Sequence, residues 1–361
     1  MLPKNKNLSK RRSCLRQLFP DCKIDSLLVL NMNNIYYLSG FTGSEGVLLL
    51  SPEETILFVD GRYTEQAALE TRGIEIRNFT DKIAAIVQKI KDLKLKRVGL
   101  EADAVTLGTY NQLAGRLAKD KFVFLTEELR MLRACKDEHE AACMRKAAKI
   151  ASSAINTLIQ QIILGWTEKE TALQLEIHAR KSGADGLSFE TIIAAGKNSS
   201  LPHAKPTDRK IKKGDFVVID FGVRYQGYCS DETCTIAIGK LTDRQKNAYQ
   251  IVKASHDCAL DAIADGVCAA EVDRRARNVF GKKYASYFVH GTGHGVGLEV
   301  HEAPRLSSTS ADILKPGMVF TVEPGLYIPG QWGIRIEDTV YLKENSCEKF
   351  TKMDKELTII E

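Results

Sequence analysis

The sequence predicts a mixed α/β (α+β) chain in two domains: a small lobe of alternating strands and helices, then a larger domain of antiparallel sheet flanked by helices. Three observations predict this. The first third alternates short apolar runs with helix-period patterns. Near residue 130 the texture changes to one long amphipathic stretch. Beyond it, apolar runs come in pairs around turn residues, as strands of hairpins do. A length of 361 residues suits two domains of roughly 100–200 residues each, here 1–130 and 131–361.

In the first domain Ser26–Leu30, Ile35–Leu38, Gly46–Leu50 and Thr55–Val59 read as short strands, with turn residues at Gly40–Gly43 and Ser51–Glu53. A helix follows from Thr64 to Thr71, then a strand at Ile74–Phe79 and a helix at Asp81–Leu93. Arg97–Leu100 reads as a strand, Leu107–Lys119 as a helix and Phe122–Thr126 as a closing strand. No GxGxxG follows a strand and no GxxxxGK[ST] occurs, so a nucleotide site is not indicated.

The second domain opens with a long helix, Asp137 to about Ile163, apolar at Met144, Ala147, Ile150, Ala151, Ala154 and Leu158. Thr167 with Glu170, and Thr242 with Gln245, have the spacing of capping boxes and mark two further helix starts. Phe216–Val223, Tyr228–Ile238, Val319–Glu323 and Ile334–Leu342 read as strands. A helix-then-hairpin block thus occurs twice, which suggests a duplication, although the two sequences are not alike enough to assert one.

Composition excludes several classes. Apolar residues are 44% and charged residues 27%, ordinary for a globular chain with a core. The formal charge of +5 is mild and spread, apart from a short run at Lys10–Arg12, and no aromatic residues interleave with it, so no nucleic-acid partner is expected. Nine cysteines stand far apart with no CxxC, which fits reduced thiols. The basic N-terminus lacks the apolar stretch of a secretory signal, and Asp21 argues against a transit peptide. No run approaches the ~18 apolar residues of a membrane span. A cytoplasmic protein with no membrane association is expected.

The chemistry begins at His290–Glu302, HGTGHGVGLEVHE, which holds three of the seven histidines. His290 and His294 are four apart, as two zinc ligands on a helix would be. Glycine at every second position does not stay helical, however. Extended backbone aiming several imidazoles into one cavity fits better, with the glycines permitting a close approach; a loop with incidental histidines is the plain alternative.

Asp220 lies in the apolar strand Phe216–Phe221, where a carboxylate is costly unless paired or bound to a cation. Were Asp231 to face it, the hairpin would be centred between Tyr225 and Gln226. Glu323 and Glu337 repeat the construction around Gly330, with Pro324 breaking the ladder beside Glu323. A lone Asp231 or Glu323 would be an ordinary solvated acid, but two facing acid pairs in one domain are unusual. Four carboxylates and an imidazole make an oxygen-rich site for two divalent ions. Two such ions roughly 3.5–4 Å apart can hold a bridging hydroxide and polarise a carbonyl, so amide hydrolysis follows. Covalent catalysis has no candidate: no GxSxG occurs, and Cys229 and Cys234 have no recognisable histidine partner.

These motifs, VVIDFG, GYCSDET, HGTGHGVGLEVHE, TVEPGLY and GIRIEDT, resemble those of the pita-bread metallopeptidases, which include methionine aminopeptidase, Xaa-Pro aminopeptidase and prolidase. They span most of residues 135–361, and NIYYLSGFTGSEG and FVDGRYTEQA resemble the N-terminal lobe of the Xaa-Pro branch and of creatinase. Methionine aminopeptidases generally lack that lobe. The resemblance implies a creatinase-like α/β lobe before a pita-bread catalytic domain. It also implies that Asp231 and Glu337 bridge two metals, that Asp220 completes one ion, and that His294 and Glu323 complete the other. Glu323 would further shuttle the proton of the bridging water. His203, His290 and His301 would position substrate and stabilise the tetrahedral intermediate, with Arg335 beside the last ligand.

Cys234 stands where the family often has a polar residue, a change of packing and not of ligation. Glu299, Glu302 and Asp338 read as acids around the site, and His139, His178 and His256 as ordinary helix residues. The implied cofactor is two divalent ions, Mn²⁺ first and Co²⁺ or Zn²⁺ next, and family habit suggests a homodimer. The activity expected is an aminopeptidase acting on peptides with proline second, with Xaa-Pro dipeptidase (prolidase) as the rival. An inactive binding relative and metal-free creatinase are more remote, since both lack the full ligand set.

Overall fold

A computed structural model of the chain describes residues 7–161 and 164–361. It divides into two compact units, one ending at Leu132 and the other beginning at Arg133. The fold is mixed α/β in both.

In the first unit the described chain begins with α1 (Leu8–Arg16), a helix absent from the sequence-based expectation. Then come β1 (Ser26–Val29), α2 (Met32–Ser39), β2 (Val47–Leu50), β3 (Thr55–Val59), α3 (Thr64–Glu70), β4 (Glu75–Asn78), α4 (Lys82–Asp92), β5 (Val98–Glu101), α5 (Leu107–Ala114), β6 (Phe122–Leu125) and α6 (Glu127–Arg130). The strands form one mixed sheet in the order β4-β3-β2-β1-β5-β6. Asp81 caps α4 through the amide of Ala84, and Ile83, Ile86, Val87 and Ile90 turn inward on the sheet.

The expected strand at Ile35–Leu38 is the helix α2, and local chemistry explains the reversal. The Asn31 side chain accepts hydrogen bonds from the amides of Asn33 and Asn34, an N-cap, and Gly40 closes the helix at φ +79°. Glu101, at the end of β5, holds the entry by accepting from the amide of Asn31 and from Asn34 Nδ2. A four-residue apolar run cannot by itself distinguish strand from helix. The helix expected to Lys119 stops at Ala114, followed by a single turn at Lys119–Lys121.

The second unit begins with two helices, α7 (Glu138–Gln161) and α8 (Glu168–Lys181). The expected end of the first at Ile163 lies outside the described residues. Its inward face is small and apolar (Ala147, Ala151, Ala154, Leu158), and the Thr167–Glu170 capping box starts the second. Strands β7 (Gly186–Leu187), β8 (Ile192–Ala195), β9 (Phe216–Phe221), β10 (Val223–Tyr225), β11 (Tyr228–Cys229) and β12 (Glu232–Ile238) follow. A second helix pair, α9 (Asp243–Leu260) and α10 (Ala269–Tyr284), comes next; α9 starts at the Thr242–Gln245 capping box, and α10 was not foreseen. The chain then runs through β13 (Gly293–Gly295), β14 (Glu302–Leu306), β15 (Val319–Val322), β16 (Gly325–Ile328), β17 (Trp332–Arg335), β18 (Asp338–Leu342), β19 (Cys347–Lys349) and β20 (Ile359–Ile360). Two sheets organise it, β20-β12-β9-β8 and β14-β13-β15-β18-β19, joined by the ribbon β16–β17. Cys234 packs in the apolar core between helices and sheet, and all nine cysteines are free thiols. Among the described residues no helix is long and apolar enough to cross a membrane.

The histidine segment is extended at its centre, where β13 carries His294. Its glycines accommodate neighbouring strands: a Cβ on Gly293 would sit 2.0 Å from the Thr321 carbonyl oxygen, and one on Gly295 would sit 2.0 Å from that of Ala303. Backbone cannot yield there as a flexible side chain could. Gly295→Ala is therefore expected to destabilise the metal-free protein by on the order of 3 kcal/mol, lowering Tm by roughly 6–12 °C. Calorimetry reads this directly, and an unchanged melting temperature would contradict the packing described.

Candidate metal centre

Register decides which carboxylates meet. In β9–β12, Asp220 lies opposite Thr233 and Phe221 opposite Glu232, so Asp220 and Asp231 do not face each other directly as expected. The hairpin turns one residue later than the sequence suggested, at Gln226–Gly227 between the paired Tyr225 and Tyr228. Both turn residues have positive φ, +52° and +82°, the mark of a two-residue type I′ turn. Asp231 is thereby displaced two positions along its strand from the place opposite Asp220. A shift of two preserves the face, so the two acids remain diagonal neighbours on one side.

The other pair keeps its expected register. Gly325 pairs with Arg335 in β16–β17, and Val322 pairs with Asp338 in β15–β18. Glu323 and Glu337 occupy the gap between these two ladders, opposite one another about Gly330. At the gap their amides turn outward: Glu323 donates to the Thr292 carbonyl at 2.7 Å, and Glu337 to that of Thr233 at 3.1 Å. These bonds tie the β15/β18 strands to β13 on one side and β12 on the other, so both acid pairs and His294 converge.

Ligand atoms of Asp231, His294 and Glu337 all lie within 4.8 Å of one another. His294 Nε2 stands 3.6 Å from Asp231 Oδ2 and 3.3 Å from Glu323 Oε1. Its Nδ1 sits 3.0 Å from the Gly295 carbonyl, which can only accept, so Nδ1 carries the proton and the lone pair of Nε2 faces the carboxylates. Burial lowers its pKa, favouring the neutral ring. A lone pair aimed at carboxylate oxygens is repulsive until a proton or a metal cation lies between them.

The acids show the same deficit of positive charge. Burial pushes Asp231 well above the usual carboxylate range, and Glu337, Asp220 and Glu323 push it further. Glu337 is raised by burial, then by Glu323 and Asp220; Glu323 is raised mainly by burial. Asp220 Oδ1 and Glu337 Oε1 are buried with no hydrogen-bond partner among the described residues, although their other oxygens are held by Arg335 and by Thr233 Oγ1 respectively. Against four carboxylates the described residues place one fixed cation in the cluster, Arg335, leaving three negative charges if all are ionised. Oxygen donors, a neutral imidazole and two orphaned carboxylate oxygens fit hard divalent ions.

Arg335 also organises the wall. It donates to Asp220, to Tyr327 Oη at 2.7 Å, to Thr233 Oγ1 at 3.1 Å and to the Pro202 carbonyl at 3.1 Å, the last fixing the loop that carries His203. Tyr327 was missed by sequence reasoning; its position two residues after Gly325, within the apolar run of TVEPGLY, gave no polar signal. Its hydroxyl lies 2.9 Å from His290 Nε2, and burial raises its pKa to about 12. His290 Nδ1 contacts the Gly291 carbonyl at 2.8 Å, so both ring nitrogens of His290 already have protein partners. The His301 ring stacks edge-on against His294 with centroids 4.2 Å apart, and it is exposed, as is His203. Around the rim, Arg133 and Lys136 hold Glu299 and Glu302, at 2.8 Å for Arg133–Glu299 and 2.6 Å for Lys136–Glu302. His139 and His178 lie on α7 and α8 away from the acids, and His256 is buried beside Asp338.

Comparison with known proteins follows the same division. Residues 142–344 match the model of metallopeptidase family M24, and residues 11–135 that of the creatinase/prolidase N-terminal domain. The chain is 38% identical to a solved Xaa-Pro dipeptidase from Bacillus anthracis, with a TM-score of 0.95 over 98% of this chain and 100% of that one. An X-Pro aminopeptidase from Thermotoga maritima MSB8 is 39% identical, with a TM-score of 0.86 over 94% of this chain and 98% of its own. An Xaa-Pro dipeptidase of Pyrococcus horikoshii is 37% identical over 338 residues, 92% of this chain and 94% of that protein.

Two outcomes follow from the geometry. His294→Ala is expected to lose metal measured by atomic absorption, whereas His290→Ala retains it and loses rate; equal metal content in both would contradict the separation of roles. Asp231, Glu323 and Glu337 have folded-state pKa values raised above those of the unfolded chain. The metal-free fold therefore binds more protons than the unfolded chain. Their stabilising contribution is full below about pH 4 and is lost as pH rises through the folded values. Added Mn²⁺ should thus raise Tm more at pH 7.5 than at pH 5. A thermal shift independent of pH would count against the cluster as its binding site.

Proposed function

The chain belongs to metallopeptidase family M24, and from that premise we propose that it is an Xaa-Pro peptidase, releasing the residue that precedes proline. The observation that carries the reading is the buried cluster of four carboxylates around the lone pair of His294, with Asp220 Oδ1 and Glu337 Oε1 unpartnered. Family M24 enzymes work with two divalent ions. In this chain Asp231 and Glu337 would hold both, Asp220 would complete one, and His294 and Glu323 the other, with Mn²⁺ as the first candidate. Ions held there would polarise the scissile carbonyl and acidify water for attack.

The chain's own groups do the rest. Glu323, its carboxyl raised by burial, takes a proton from the attacking water and passes it to the prolyl nitrogen as that nitrogen leaves. Arg335 pairs with Asp220 and keeps the His203 loop at the wall. Exposed His203 and His301 meet the substrate from the open side. His290, its Nδ1–H held by the Gly291 carbonyl, accepts from the Tyr327 hydroxyl at Nε2 and so fixes that hydroxyl at the wall of the site.

Two substrate readings remain, and different relatives favour them. The proteins named Xaa-Pro dipeptidase, from Bacillus anthracis and Pyrococcus horikoshii, support a dipeptide substrate, which we place first. The protein named X-Pro aminopeptidase, from Thermotoga maritima MSB8, supports the longer substrates expected from the sequence. Purified Mn²⁺-loaded enzyme offered Xaa-Pro and Xaa-Pro-Yaa is expected to hydrolyse the dipeptide and leave the tripeptide intact; efficient tripeptide cleavage would establish the aminopeptidase instead. Glu323→Gln should lower kcat by roughly 10²–10⁴-fold with folding intact, and near-normal turnover would refute its role in proton transfer.

A further inference from the structure

Behind the acid cluster lies a second one. Neighbouring side chains on a strand point to opposite faces, so Glu232 and Asp338, each following a cluster acid, turn away from Asp231 and Glu337. Both are fully buried. Lys355, from the C-terminal segment, reaches between them: its Nζ is 2.7 Å from Glu232 Oε1 and 3.4 Å from Asp338 Oδ1. Glu232 also accepts from the amide of Met353 at 3.1 Å and from Ser152 Oγ at 2.5 Å. Asp338 accepts from Thr351 Oγ1 at 2.6 Å, with Lys349 Nζ and His256 Nε2 each 3.3 Å from its other oxygen. The segment is itself tied down: Phe350 donates its amide to the Thr339 carbonyl, Tyr249 donates its hydroxyl to that of Lys355, and β20 pairs with β12.

We propose that Lys355 is a positioning residue for metal uptake. By bridging Glu232 and Asp338 it fixes the spacing of the two strands that present Asp231 and Glu337, and so sets the affinity for the ions those two carboxylates share. This rests on the reading of Asp231 and Glu337 as shared ligands. Buried ion pairs commonly contribute little net stability compared with apolar replacements, so stability alone does not account for a lysine here. Its place between two residues that each adjoin a cluster acid does. Outer groups that orient ligands typically govern metal affinity by about 10–100-fold.

The test titrates metal-free full-length protein with MnCl₂ by calorimetry and follows its melting alongside. Lys355→Met, which keeps the stem and removes the charge, is expected to weaken uptake about 10–100-fold. At limiting MnCl₂ its kcat falls and recovers with excess metal, while KM for the peptide stays put. Ser152→Ala and Thr351→Val, each removing one hydrogen bond from one of the two acids, should weaken uptake in the same direction by a smaller factor; they carry the test if Lys355→Met does not fold. Wild-type Mn²⁺ affinity in every folded variant, whatever happens to Tm, overturns the proposal and leaves an ordinary core ion pair. Wild-type protein that takes up no divalent ion overturns instead the assignment of Asp231 and Glu337.

Discussion

Confinement of like charge is the constraint on which the second unit depends. Asp220, Asp231, Glu323 and Glu337 are brought into one buried space by two antiparallel strand pairs. Two unit charges about 4 Å apart repel by ~4 kcal/mol at an effective dielectric constant near 20. One guanidinium offsets only part of this. The remainder appears as raised carboxyl pKa values and as two oxygens with no partner. A fold that spends so many backbone bonds on gathering acids is intelligible only if cations complete it.

The surrounding groups follow from that need. An imidazole serves as a ligand only when neutral, and the Gly295 carbonyl fixes the His294 tautomer while burial lowers its pKa. To bring that ring against the acids, β13 must lie tightly between β14 and β15, and only glycine at 293 and 295 lets it. Arg335 cannot approach all four acids, so it takes the one on the far strand, Asp220, and uses its remaining donors on Tyr327, Thr233 and the Pro202 carbonyl. The loop bearing His203 is thus fixed by the same side chain that offsets part of the cluster's charge.

How much of this was legible depended on where the specifying chemistry sits. Glu323 and Glu337 could be paired correctly because Gly330 marks a turn whose register runs unbroken through two ladders. Asp220 and Asp231 were misaligned by two because Gln226 is an unexpected residue for the positive-φ first position of a type I′ turn, and only the backbone reveals it. The convergence survived the error, since a shift of two keeps side chains on the same face. Ile35–Leu38 became a helix through Asn31 and Glu101, the latter sixty-odd residues away, beyond the reach of local pattern. Tyr327 lay hidden in an apolar run, and Lys355 in a polar tail with no strand or helix signal, because their partners come from remote strands.

The two acid layers on either face of the same strands have opposite requirements. On the proposed function the outer one is reached by exchangeable cations and by peptide, so its compensation is not built in and Arg335 supplies a single charge. The inner one, Glu232 and Asp338, is closed to solvent and is compensated by covalently attached cations, Lys355 between the acids and Lys349 at the edge. Were the inner layer unbalanced, it would either draw metal to the wrong face or force the strands apart. A lysine suits that task because it is a compact point charge that can sit between two carboxylates from different strands, whereas the rigid planar fork of arginine is shaped for bidentate pairing. The same alternation of side chains that supplies the cluster acids therefore creates a second buried pair, and the C-terminal segment, folded back across β12 and β18, supplies the lysine between them.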